Sequence, residues 1–468
     1  MLNDFSLSPA LSQRRGDSTG QPMKFMTAVV GGRSVGVPAV PRMMEDLHKR
    51  YGRLQWADLF VKPIELAEQG FSVSPRMAKS IEQNLETLKR YPMTAAYFLP
   101  NGIPLKSGSL LKNPAFASSV RTLAREGAAP FYNGSHAQSI VNAVKNNDNP
   151  GLLTMADMKN YRLIEREPVC ADYRVYQVCG MGAPSSGGIA VGQIVGMLNE
   201  FSPHQLPKND VQSWRVLGDA SRLAFADREQ YIGDPDFVNV PSKQLLDKNY
   251  LHQRAAMLQL NKQSLPTVSA GDLDNTYAAA ASSWELPSTS HISIVDADGN
   301  VLSMTTSIEN AFGSGVMANG YLLNNELTDF TFTPTKDGKP VANRVEGGKR
   351  PRSAMAPTIV LKNGQPYLAV GSPGGSRIIG YVAKTLLAHI DWGMDIQAAI
   401  AAPNMLNRFG TYELEQNTPA ANWVEPLKQL GFQSEVRDLN SGVQGIVITP
   451  TGLIGGADPR REGKVMGE

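Results

Sequence analysis

Cysteine is nearly absent from this sequence: there are two, Cys170 and Cys179, in 468 residues. Two thiols cannot build a structural zinc site without histidine. The six histidines (His48, His136, His204, His252, His291, His389) show no HExxH or His-x-His grouping, so a metal site is not expected. The cysteines flank Ala171 to Val178 and read as ordinary strand residues; a disulfide between them would close only a small loop. An excess of one charge is also missing. Lys+Arg 45 against Asp+Glu 43 leaves +2, too little to favour nucleic acid or anionic lipid. Nowhere do about eighteen consecutive apolar residues occur, so no membrane span is expected. Met1 to Gly16 has no continuous apolar core and carries Arg14 and Arg15 after its apolar residues, so it reads as a flexible tail and not as a signal peptide. Localisation is therefore left open. What remains is a globular composition, 42% hydrophobic and 19% charged.

The first half is helical in character. Periodic apolar residues predict a helix from Met43 to Tyr51, and others over Leu54–Gly70, Pro75–Tyr91, Leu110–Ala128, His136–Asn146 and Thr154–Tyr161. Thr154 and Asp157 resemble a capping box. Tyr173–Cys179 alternates as a strand, and helices are predicted over Ile189–Asn199 and Ser213–Tyr231. Asn261–Pro287, rich in Ser, Ala, Asp and Thr, reads as a linker. Beyond it the pattern turns to strands. His291–Val295 and Val301–Ser307 flank a turn at Asp296–Asn300, and hairpins follow around Lys362–Gln365 and Thr449–Gly452. Helices first and hairpins later predict α+β layering and not alternating βαβ units.

Candidate chemistry lies in three places. Gly182–Gly188 (GAPSSGG) could hold an anion at a helix start, but it lacks a phosphate-loop Lys and a dinucleotide fingerprint, and it also reads as a tight turn. Gly371–Arg377 (GSPGGSR) has adjacent glycines able to present successive backbone N–H groups to one point, or simply to turn the chain. No histidine is singled out as the partner of a Ser–His–Asp triad. Ser288-Thr289-Ser290-His291 offers another nucleophile, if the Ser288–Thr289 bond is cut. A free α-amino group, with a pKa of about 7.7–8.0, can then deprotonate the hydroxyl of its own residue. As a bare string, these four residues also fit a polar strand entry.

Longer motifs decide among these readings. Thr289–Asp296 (TSHISIVD), Phe312–Gly315 (FGSG), Leu322–Phe330 (LLNNELTDF), Lys349–Thr358 (KRPRSAMAPT), Gly371–Arg377 and Gly455–Arg461 (GGADPRR) resemble, in order, the γ-glutamyltranspeptidase (glutathione hydrolase) family. Upstream, Pro184–Gly188, Ala226–Arg228 and Tyr231–Asp236 also fit, so the resemblance runs from about Gly20 to the C-terminus. It implies a four-layer αββα sandwich of the N-terminal nucleophile hydrolase type, made as a precursor that cuts itself, with no cofactor. Thr289 would attack the Ser288 carbonyl, dividing the chain into a large piece, 20–288 after a tail of 1–19, and a small catalytic piece, 289–468, that stay together as a heterodimer. The new terminal Thr289 would then attack a γ-glutamyl amide such as glutathione. The acyl group would pass to water or to an amino acid or peptide acceptor.

By the same resemblance, Gly374 and Gly375 supply the oxyanion donors. Glu326 and Asp329 bind the substrate ammonium, and Ser353 with the position of Ala354 binds its carboxylate. Ser307 stands where the family carries a Thr that hydrogen-bonds the nucleophile's amine. Several positions depart from the pattern: Ala354 lacks the second hydroxyl, and Glu309 replaces a common Asn. The segment from Phe330 to Lys349 is too short for a long lid, so the pocket is expected to be open. The family's early helix, strand and carboxylate-gripping Arg have no counterpart in Met1–Gly16, which marks the chain as N-terminally incomplete. The departures keep a glutaryl- or cephalosporin-acylase-like amidohydrolase, and an unprocessed inactive fragment, as alternatives.

Overall fold

The computed structural model describes residues 23–273, 280 and 288–467. The tail expected over 1–19 and residues 274–279 and 281–287 of the expected linker Asn261–Pro287 lie outside the described residues. The chain divides into two compact units, one comprising the described residues through Glu165 with Ile308–Thr328, the other Arg166–Ser307 with Asp329 onward. Each unit therefore draws residues from both sides of Thr289.

The first unit is helical. Val40–Tyr51 forms as the periodicity predicts. The helix expected over Leu54–Gly70 is instead a 3-10 turn, Trp56–Phe60, followed by Val61–Gln69. The one expected over Pro75–Tyr91 breaks at Asn84 into Pro75–Gln83 and Leu85–Lys89. The Thr154–Asp157 capping box is present, each side chain bonded to the other's backbone N–H. Ile308–Thr328 joins this unit through its apolar residues: Phe312 and Met317 share a core with Ile81, Leu88, Phe98 and Leu99. Asn324 completes the attachment by exchanging two hydrogen bonds with the backbone of Gly36 (2.9 and 3.0 Å).

The second unit is built on a six-stranded sheet. Its order is Gly452–Ala457, Gln444–Thr449, Gln365–Gly371, Thr358–Lys362, Tyr176–Gly180 and Val169–Tyr173, each pair antiparallel. Helices Gly187–Leu198, Val211–Tyr231 and Ile378–Ile390 share one core with Tyr173, Val178, Val360, Leu368 and Val370 of the sheet. The predicted hairpin Ser290–Val295/Val301–Thr306 lies against the strands Gln365–Gly371 and Gln444–Thr449. Successive strand residues point to opposite faces. Val370 enters the helical core while Gly371 faces the His291 ring on the hairpin, so helices and hairpin cover opposite faces of the sheet. The hairpin turns its polar side inward, and Ile292, Ile294 and Leu302 stay 46%, 48% and 40% exposed.

The α+β expectation holds, with a local correction in the sheet. Tyr173–Cys179 is not a single strand: the chain turns at Arg174, whose φ is +58°, between Val169–Tyr173 and Tyr176–Gly180. The Arg174 N–H donates to Asn199 Oδ1 (2.8 Å), which satisfies the turned backbone. This hairpin sets Cys170 directly opposite Cys179, and the two form a disulfide where ordinary strand residues were expected. Among the described residues, no helix is long and apolar enough to cross a membrane.

Candidate active site

Thr289 immediately precedes the first hairpin strand, and pairing of Ser290 with Thr306 brings Ser307 beside it. The Thr289 hydroxyl donates to Ser307 Oγ (3.3 Å), and the Ser307 hydroxyl donates to the Ser288 carbonyl oxygen (2.8 Å). Thr289 Oγ, Ser307 Oγ and the Ser288 carbonyl oxygen thus form one short hydrogen-bonded chain. An O–H donated to a carbonyl oxygen stabilises the negative charge that nucleophilic attack would place there.

Arg461 closes the other side. Its Nη1 donates to the Thr289 carbonyl (3.3 Å), while Nε and Nη2 donate to the Asn440 carbonyl (3.2 and 2.9 Å). Asp458 holds this C-terminal turn in place, accepting from the Ser441 hydroxyl (2.6 Å) and the Val443 N–H (3.1 Å). Sequence reading placed Arg461 in a motif without giving it a role, because 172 residues separate it from Thr289.

The paired glycines follow the strand Gln365–Gly371. Gly374 has φ +142° and Gly375 φ +60°, both left-handed values that disfavour side chains. A Cβ at Gly374 would also meet the Tyr381 ring at 2.7 Å. The loop is linked to Thr289 through Gly442, where an added Cβ would touch both Pro373 (2.6 Å) and the Arg461 side chain (2.7 Å), and through the bond from Arg461 to the Thr289 carbonyl. At the loop's entry His291 packs on Gly371, bonded to Thr305 Oγ1 (2.8 Å) and Ser293 Oγ (3.1 Å). Burial pushes its imidazole down to about 4, so the ring is uncharged at neutral pH.

Ser353 lies in a braced loop. Its carbonyl accepts from the Ser186 N–H (2.7 Å) and hydroxyl (2.6 Å), and Arg228 Nε donates to Ser186 Oγ (2.8 Å). Arg352 in turn donates to the Arg228 carbonyl (2.8 Å) and to Glu229 (3.0 Å). These motifs therefore act as the scaffold of the Ser353 loop. The Ser353 hydroxyl oxygen accepts from the Met355 N–H (3.1 Å). Ala354 points into the main core and is 3% exposed, so its side chain is a packing element.

Asp329 ends the 3-10 turn Glu326–Asp329 and is buried, its carbonyl accepting from Asn343 Nδ2 (2.7 Å). Asn343 Oδ1 also accepts from the Arg352 N–H (2.9 Å), tying Asp329 to the loop that carries Ser353. In the first unit, Glu309 is buried with φ +74°, and Asn325 Nδ2 donates to its carboxylate. Glu326 is half-buried, its N–H donating to Asn324 Oδ1 (3.1 Å). Among the described residues, no group of three or more His, Cys, Asp or Glu side chains could hold a metal ion.

The sequence profile of gamma-glutamyltranspeptidase matches residues 11–468, starting upstream of Gly20. The chain belongs to the gamma-glutamyltranspeptidase family. Within the family, it is similar to the glutathione hydrolase proenzyme of Bacillus subtilis (strain 168), with 36% identity over 96% of this chain and 78% of the relative. The glutathione hydrolase proenzyme of Escherichia coli (strain K12) is 34% identical over 88% of this chain and 71% of its own length. Among solved structures, the cephalosporin acylase from Bacillus halodurans superposes with a TM-score of 0.82 at 26% identity, covering 93% of this chain and 79% of that one. The family resemblance read from the motifs is thereby borne out.

Proposed function

We propose that this chain is a self-processing γ-glutamyltransferase with glutathione hydrolase activity. The observation that carries the reading is the hydrogen-bonded chain from Thr289 through Ser307 to the Ser288 carbonyl. Family membership supports it. In the uncut chain, Thr289 Oγ attacks the Ser288 carbonyl carbon. Its proton passes through Ser307 to the departing nitrogen, the C–N bond breaks, and an ester remains. Water cleaves that ester, leaving a carboxylate on Ser288 and a free amine on Thr289. The pieces 1–288 and 289–468 would remain associated, as expected from two compact units that each use both. Helices, six-stranded sheet and hairpin supply three successive layers, α, β and β, of the proposed four-layer αββα sandwich.

In the cut enzyme, the Thr289 amine takes the hydroxyl proton as Oγ attacks the γ-carbonyl, then gives it to the leaving amine. Gly374 and Gly375 hold the oxyanion, and Ser307 orients the amine. Water or an amino acid or peptide then takes the γ-glutamyl group from the ester. Glu326 and Asp329 receive the ammonium and Ser353 the carboxylate. The Glu309 carboxylate accepts from Asn325 Nδ2 within its own unit.

Release of p-nitroaniline from γ-glutamyl and glutaryl anilides tests the acyl preference. The proposal expects the γ-glutamyl compound to be favoured; preference for glutaryl would move the chain toward the acylase activity named for its structural neighbour. Asp329→Ala should raise KM for the γ-glutamyl anilide about tenfold or more, the scale of a lost charged hydrogen bond. Self-cleavage should continue, because no ammonium is bound at that step. An unchanged KM removes Asp329 from the pocket. Arg461→Lys keeps the charge but cannot span two carbonyls. Its Ser288–Thr289 cleavage, followed on a denaturing gel, should slow about tenfold; a wild-type rate shows that the clamp on Thr289 is dispensable.

A further inference from the structure

Gly374 and Gly375 have no side chains, so whatever fixes their N–H directions must act through the residues on either side. On the exit side lies a ring of charged side chains. Arg377 makes a bidentate pair with Glu413, Nε to Oε2 at 3.1 Å and Nη2 to Oε1 at 2.6 Å. Arg408 donates to the same Oε2 from Nε (3.2 Å) and Nη2 (2.8 Å), and its Nη1 donates to Ser376 Oγ (2.5 Å). The ring Ser376–Arg408–Glu413–Arg377 closes on two consecutive residues of the 3-10 turn that begins at Gly375. Its single anion sits in the strand Thr411–Glu415, the middle one of a three-stranded sheet, and its side chain is 7% exposed.

We infer that Glu413 is a positioning residue for the oxyanion turn, acting through Arg377 and Arg408. Two guanidiniums held this close repel unless a carboxylate lies between them, and bidentate geometry fixes direction as well as charge. Burial alone would raise the Glu413 carboxyl, but the bonds from Arg377 and Arg408 outweigh it and hold the carboxyl below its ordinary value. Burial pulls the Arg408 guanidinium down, and Arg377 adds to that; Glu413 opposes both. Oxyanion donors work only when they lie about 2.7–3.1 Å from the developing charge. A displacement of about 1 Å can cost on the order of 100-fold in rate.

The inference rests on the function proposed above, and the two can fail separately. In that function the Ser288 carbonyl is polarised by Ser307, so breaking the precursor does not require the glycine turn. Glu413→Gln should therefore mature at about the wild-type rate. It should then turn over γ-glutamyl-p-nitroanilide with kcat lower by about 10- to 100-fold and KM within about twofold. Arg408→Gln, which keeps the Arg377–Glu413 pair and releases Ser376, should show a smaller fall, again in kcat alone. Glu413→Gln with wild-type kcat overturns the inference. So does a variant that loses cleavage and turnover together with its folded state, because Glu413 then serves the fold. If the unaltered chain neither cuts itself nor releases p-nitroaniline, the proposed function fails first.

Discussion

Thr289→Ala should leave the chain as one piece through residue 289 and lower γ-glutamyl turnover by at least about 10³-fold. Alanine removes the one Oγ proposed both to attack Ser288 and to carry the γ-glutamyl ester. The half-buried side chain contributes little to the core, so thermal unfolding should stay close to wild type. Thr289→Ser keeps the hydroxyl within reach of Ser307 and should still cut, more slowly. The pattern to find is therefore loss with Ala and retention with Ser on a denaturing gel and in the anilide assay. Cleavage or turnover that persists in Thr289→Ala places the nucleophile elsewhere.

Ser307 should be next in effect. It accepts from Thr289 and donates to Ser288, so in the proposed mechanism one oxygen would both relay the proton and steady the oxyanion. Removing a single oxyanion donor costs on the order of 10²–10³ in rate. Ser307→Ala should slow self-cleavage by that factor, whereas Ser307→Thr keeps the hydroxyl and should process nearly as fast as wild type. Ser307→Val, similar in shape to Thr, should fail like Ala, which isolates the hydroxyl from packing. If Ser307→Ala matures at the wild-type rate, another group polarises the Ser288 carbonyl.

The hairpin that carries Thr289 was legible because Asp296–Asn300 supplies Gly and Asn at the turn between alternating runs. The hairpin Val169–Gly180 was not, because its turn places Arg174 at φ +58° with no Gly to mark it. Without that turn the facing of Cys170 and Cys179 cannot be seen, so the disulfide was missed with it. Glu309 hides a left-handed backbone in the same way, and its partner Asn325 comes from the other end of a local excursion. The site motifs themselves were readable as strings. Their connections were not: Arg461 reaches Thr289, and Glu413 reaches Arg377, only once the strands are in register. Ala354 shows the opposite limit, since a motif position marked for substrate is occupied by a core side chain.

Intact-mass analysis of the purified protein is the most direct measurement of the central step. Two polypeptides, one ending at Ser288 and one beginning with a free Thr289, are the expected result. A single mass spanning the Ser288–Thr289 bond after prolonged incubation would contradict the account, because Thr289 would then have no amine with which to activate its own hydroxyl.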